Sequence, residues 1–179
     1  MEMKGKTCVV TGGSRGIGRA IAEELGATGA DVVVNYRSSE AQAYEVAESI
    51  DEGPGTAIPI QADVAEMSDV RAMAKVVEDQ YGEVDVLVNN AGVTRDGKFD
   101  TMTREEWDQV IQVNLGGVFN CTKTFFQDLC AADEGRLINI SSVVGQQGNY
   151  GQANYATTKS GLFGFTRTIA LEMASSGST

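Results

Sequence analysis

Short β-branched runs alternate along the chain with amphipathic stretches of helical length, a pattern that predicts βαβ units around a parallel sheet. Strands are expected over residues 7–11, 31–36, 56–60, 84–89 and 136–141, and helices over 17–28, 40–51, 68–81, 103–130 and 154–174. Asp51-Glu52-Gly53-Pro54-Gly55 reads as a turn. Thr103, with Glu106 three residues on, reads as a capping box that opens the fourth helix. No repeat, linker or low-complexity segment divides residues 1–179, so the expectation is one α/β domain. The last helix runs into Ser175-Ser176-Gly177-Ser178-Thr179 where another strand is expected. That would leave 136–141 as a sheet edge, although Leu137, Ile138 and Ile140 look built for burial. The domain is therefore expected to be incomplete at its C-terminal end.

Composition narrows the chemistry. A chain of 179 residues with 42% hydrophobic content can bury a sizeable core. It has no histidine, which removes His-activated nucleophiles, His proton shuttles and the commonest metal ligand. Cys8, Cys121 and Cys130 are odd in number and form no Cys-x-x-Cys, so they read as free thiols of a reducing compartment, with Cys8 a small core residue. The net charge of −11 argues against nucleic acid as a partner, because no segment supplies a basic stripe. Glu23, Glu24, Asp51, Glu52, Asp133 and Glu134 fall on turns and helix faces, where solvation is the ordinary reading and adaptation to a salt-rich cytoplasm the sharper one. The start lacks a signal-peptide h-region, and no apolar run approaches the roughly 20 residues of a membrane span. A cytoplasmic protein is expected.

The candidate chemistry lies in two places. Thr11-Gly12-Gly13-Ser14-Arg15-Gly16-Ile17-Gly18 follows the first strand, where Gly12, Gly16 and Gly18 let backbone approach a pyrophosphate at the amino end of the first helix. Tyr155 and Lys159 stand one helical turn apart, after Ser142. An ammonium beside a phenol lowers a pKa that is otherwise about 10. Either feature alone has an ordinary explanation, a tight turn needing positive φ or an exposed helix face. Both in one chain, in this order, point to hydride and proton transfer.

Asp63-Val64 after the third strand, Asn89-Asn90-Ala91-Gly92 after the fourth and Asn114 in the long helix complete an ordered set. From Gly5 to Gly177 the chain resembles the short-chain dehydrogenase/reductase family. The resemblance implies a Rossmann-type, doubly wound parallel sheet, here without the last strands and substrate loop that members usually carry. It implies that Gly12, Ser14, Arg15, Gly16, Ile17 and Gly18 receive the dinucleotide, that Asp63 and Val64 flank the adenine, and that Asn90, Ala91 and Gly92 line the ribose side. Asp63 could equally cap the segment after it. Members that prefer NAD place an acid at the end of the second strand, where this chain has Tyr36 and then Arg37. With Arg15 in the turn, two guanidiniums suit a 2′-phosphate, so NADP(H) is the expected cofactor.

For catalysis the resemblance implies Tyr155 as proton donor and Lys159 as the group that lowers its pKa and bonds the nicotinamide ribose. Ser142 would hold the carbonyl, and Asn114 a water that leads to Lys159. Asn114 could instead be a helix residue satisfied by the carbonyl four back. No metal or covalent intermediate is called for. Residues 90–99, 102–108 and 142–152 look like those of 3-oxoacyl-thioester reductases, with Ser142, Tyr150 and Gln152 toward substrate. Carrier-protein reductases of that group commonly grip an acidic carrier through basic residues where this chain has Asp133 and Ser176. The expectation is therefore an acetoacetyl-CoA reductase of the kind that feeds polyhydroxyalkanoate synthesis. A carrier-protein reductase, a reductase of another ketone or alcohol, and a catalytically silent NADP-binding fragment are the alternatives. Ala156, Ser160, Gly161 and Gly164 give the last helix a small-residue face, read as a homodimer or homotetramer contact or as packing within one subunit.

Overall fold

Five short strands pair wholly in parallel: β1 (Thr7–Val10), β2 (Asp31–Tyr36), β3 (Thr56–Gln61), β4 (Val86–Asn89) and β5 (Arg136–Asn139). Their order across the sheet is β3-β2-β1-β4-β5. The computed structural model describes residues 3–179. Five α-helices connect the strands in the described residues, α1 (Gly16–Ala27), α2 (Glu40–Asp51), α3 (Met67–Tyr81), α4 (Arg104–Ile111) and α5 (Gly117–Ala131), and two follow β5, α6 (Val144–Gln147) and α7 (Ala153–Met173). Val9, Val10, Val32, Val33 and Val34 are all fully buried, because helices cover both faces of the sheet. One face packs Cys8, Val10, Val32 and Val34 against Ala22, Val46 and Ile50. The other packs Val9, Val33 and Leu87 against Met73, Phe125, Leu129 and Met173. The chain winds from β1 outward to β3, then returns to lay β4 on the other side of β1. That reversal opens a crevice at the carboxyl ends of β1 and β4, where ligands of such sheets bind.

The expected α/β parallel sheet is present, and the differences from the sequence reading are local. The capping box is formed: Glu106 N donates to Thr103 Oγ1 at 3.1 Å, and Thr103 N to Glu106 Oε2 at 2.9 Å. The expected long helix over 103–130 is interrupted by a π-helical turn at Gln112–Gly116, which separates α4 from α5. The short helix α6 was not foreseen. β5 ends at Asn139, two residues early, and β4 begins at Val86. β5 is one edge of the sheet, with Ile138 44% exposed. Thr179 lies along its outer side: Leu137 N donates to Thr179 O at 2.8 Å and Thr179 N to Gly135 O at 2.9 Å. Among the described residues no helix is long and apolar enough to cross a membrane.

Candidate active site

Thr11 joins the two loops that form the crevice. Its buried Oγ1 donates to Val88 O at 3.2 Å and accepts from Asn90 N at 2.9 Å and Ala91 N at 3.0 Å. Asn90 Nδ2 donates to Thr11 O at 2.9 Å and Gly12 O at 3.2 Å. Gly12 has φ +62°, and a Cβ there would lie 3.1 Å from Ala91 Cα. A Cβ on Gly18 would collide with Gly12 O. Glycine is therefore needed where turn, helix and neighbouring loop close on one another.

The cleft so formed measures about 420 Å³. Gly12, Ser14, Arg15, Gly16, Ile17, Gly18, Arg37, Asp63, Val64, Asn90, Ala91 and Gly92 all line it, so the structure gathers every residue assigned to the dinucleotide outside α7. α1 starts on its wall with no side chain capping its amino end and no acid in its first turn. Uncapped N–H groups and the positive end of the helix dipole fit a phosphate. Arg37 Nη1 lies 3.7 Å from Asp63 Oδ2. Asp63 Oδ1 also accepts from Ala65 N at 3.0 Å, a local turn bond, while α3 begins without a side-chain cap. The polar lining residues Asn35, Ser38 and Ser39 went unread. Asn35 is buried, accepts from Gly12 N at 3.2 Å and donates to Ile60 O and Ala62 O, tying the glycine turn to β3. Its only sequence signal is an amide inside an apolar strand.

A second cluster stands at the end of β5 and along α7. Lys159 is 5% exposed, and its Nζ donates to Ile140 O at 2.6 Å and lies 5.7 Å from the Tyr155 ring centre. Burial pushes the pKa of this ammonium below the usual lysine value. Ser142 Oγ accepts from Val144 N at 3.2 Å. None of Ser142, Tyr155 and Lys159 lines the glycine-turn cleft. Asn114 connects the two places. Its Oδ1 accepts from Val93 N at 2.8 Å, and its Nδ2 donates to Val93 O at 3.0 Å and Thr158 Oγ1 at 3.2 Å. Its partners thus lie across the crevice rather than four residues back in its own helix, which corrects that alternative. The π turn carries it there, a local irregularity often found at functional sites.

Asn154, also unread, is fully buried beside Tyr155; its Nδ2 donates to Arg95 O at 2.9 Å and its Oδ1 accepts from Tyr155 N at 2.7 Å. Gln152 donates to Asp96 Oδ2 and accepts from Asn149 Nδ2, both at 2.9 Å, while Tyr150 is 79% exposed. Neither bonds Ser142, Tyr155 or Lys159 in this state. Cys8 and Cys121 are core residues whose thiols burial pushes up to about 12.

A doubly wound sheet with a phosphate-ready glycine turn at its switch point, and a tyrosine beside a buried lysine next to it, defines a Rossmann-type dinucleotide-dependent oxidoreductase. Residues 6–178 match the short chain dehydrogenase family, and the chain belongs to that family. It is 49% identical over 174 residues to the 3-oxoacyl-[acyl-carrier-protein] reductase FabG of Staphylococcus aureus, a match covering 97% of this chain and 71% of the relative. A protein of the same name from Staphylococcus epidermidis is 48% identical over the same shares. A 3-oxoacyl-[acyl-carrier-protein] reductase of Synechocystis sp. is also 48% identical, covering 97% of this chain and 70% of the relative. The chain is accordingly an oxidoreductase that acts on a CH–OH group with a nicotinamide cofactor.

Proposed function

We propose that the protein uses NADPH to reduce a 3-oxoacyl thioester to the 3-hydroxyacyl thioester, with the acyl group presented on a carrier protein. The observation that carries this reading is 49% identity, along 97% of the chain, to relatives named as reductases of that substrate. It moves the carrier from coenzyme A, which the sequence favoured, to the acyl-carrier protein.

Arg15 and Arg37 supply the positive charge for a 2′-phosphate, and Ser38 and Ser39 add hydroxyls on the same wall. Asp63 beside Arg37 holds the guanidinium at the cleft. A dihydronicotinamide bound there supplies the hydride. The chain's own residues do the remainder. Ser142 Oγ donates a hydrogen bond to the keto oxygen, and Tyr155 gives that oxygen its phenolic proton. Lys159 stabilises the phenolate left behind. Both polar atoms of the Asn114 carboxamide are engaged, so its side chain braces the Val93 loop against α7.

One structural feature favours acyl-CoA as a second reading. Asp133 and Glu134 lie exposed in the turn between α5 and β5, on a chain of net charge −11, and repel an acidic carrier. Steady-state NADPH oxidation with acetoacetyl-carrier protein and acetoacetyl-CoA separates the two. A higher kcat/KM on the carrier-protein substrate is expected. A higher value on the CoA thioester moves the assignment there, and turnover of neither removes the 3-oxoacyl reading.

A further inference from the structure

Three consecutive residues at the end of β5 each grip α7. Asn139 Nδ2 donates to Thr166 Oγ1 at 2.9 Å, Ile140 O accepts from Lys159 Nζ at 2.6 Å, and Ser141 Oγ donates to Lys159 O at 2.7 Å. Lys159 is therefore fastened at both of its ends, at the main-chain carbonyl by Ser141 and at the ammonium by the preceding residue. The fit around it is close. A Cβ on Gly145 of α6 would fall 2.6 Å from the Lys159 carbonyl carbon, so the backbone of Lys159 is wedged between α6 and the end of β5.

The Ser141 bond is not needed to build α7. A mid-helix carbonyl already has its partner in the N–H four residues on, so a hydroxyl aimed at it adds nothing to helix formation. What it adds is placement. It fixes the height and rotation of the one helical turn that carries both Tyr155 and Lys159 against the strand end that carries Ser142. An ammonium that acts on a phenol through space depends steeply on distance in a buried setting, and groups of this kind must be held within about half an ångström.

We propose that Ser141 is a positioning residue, whose hydroxyl sets Lys159 at the distance from Tyr155 that the proton transfer requires. This rests on the reading of Tyr155 and Lys159 as the acid and its partner. The adjacent Ser142 is the residue that faces substrate; Ser141 acts only through the backbone of Lys159.

The test compares Ser141→Ala, Ser141→Thr and Thr166→Val in the full 179-residue chain. Thr166→Val cuts a bond between the same strand and the same helix, but two turns away from Lys159. The readouts are kcat, its pH profile and the melting temperature. Ser141→Ala should lower kcat about tenfold and move the alkaline limb of the kcat profile upward by about half a unit or more. Ser141→Thr, which keeps the hydroxyl, should restore both. Thr166→Val should lower the melting temperature yet leave kcat and its pH profile those of the parent. An unshifted kcat profile in Ser141→Ala, no rescue by threonine, or the same shift in Thr166→Val overturns the proposal. A parent that turns over while Tyr155→Phe turns over equally well defeats the underlying reading of the site instead.

Discussion

Asn114 Nδ2 donates to Thr158 Oγ1 at 3.2 Å, and by that bond the π turn between α4 and α5 reaches into the helical turn that carries Tyr155 and Lys159. The same carboxamide holds the N–H and the carbonyl of Val93, beside the cleft. The cleft and the helical turn of Tyr155 and Lys159 are thus braced through one buried side chain. Asn114→Ala leaves those groups unpaired and should cost about 1–3 kcal/mol of unfolding free energy. Asn114→Asp, which keeps an acceptor for Val93 N but loses the donor, should fall between the two. Urea denaturation measures both, and an alanine variant as stable as the parent contradicts the brace.

Arg37 faces the cleft from the end of β2 and pairs with Asp63 at 3.7 Å. Arg37→Asp sets a second carboxylate beside Asp63, where it repels a 2′-phosphate and accepts from a 2′-hydroxyl. Fluorescence titration should show the NADPH-over-NADH affinity ratio falling at least about tenfold, or about 1.4 kcal/mol. A parent that binds NADH as tightly as NADPH contradicts the assignment to NADP(H).

Burial lowers the Lys159 pKa in the folded protein. Between that lowered value and the unfolded value near 10.4 the unfolded chain binds more protons, so stability from this group rises with pH across that window and its cost is fully present below it. Lys159→Met removes the titration and leaves the other groups in place. The stability of the parent relative to Lys159→Met should therefore increase from neutral pH toward pH 10, read from paired chemical melts. A difference that stays constant, or narrows, excludes a buried, charge-strained lysine.

Much of this was legible in the sequence because it is periodic or local. The five strands, the glycine turn, the Thr103 capping box and the Tyr155–Lys159 spacing each declare themselves within a few residues. The π turn at Gln112–Gly116 did not, since it shifts hydrogen bonds by one residue without disturbing the apolar pattern of a helix. Asn35, Asn154 and Ser141 stayed hidden for a related reason. Each works through bonds to residues distant in sequence: Ile60 and Ala62 for Asn35, Arg95 for Asn154, Lys159 for Ser141. Only the folded arrangement of strand ends around α7 brings those pairs together.

Cys8 and Cys121 are buried with thiols pushed up to about 12, whereas Cys130 is half-buried. A thiol reagent at neutral pH should modify Cys130 alone in the native protein and all three cysteines after denaturation. Rapid native modification of Cys8 or Cys121, located by peptide mapping, contradicts the packed core on either face of the sheet.

The central claim is that Tyr155 is the acid that protonates the developing alkoxide, while the dinucleotide is held mainly by the glycine turn and the two arginines. The direct measurement is kcat together with NADPH affinity for Tyr155→Phe, using the acetoacetyl thioester that the parent turns over best. The account predicts a fall in kcat of at least about a hundredfold, or about 2.7 kcal/mol in the barrier, with NADPH affinity within about twofold of the parent. A variant that keeps a tenth or more of the parent's kcat, a loss of only about 1.4 kcal/mol, contradicts it.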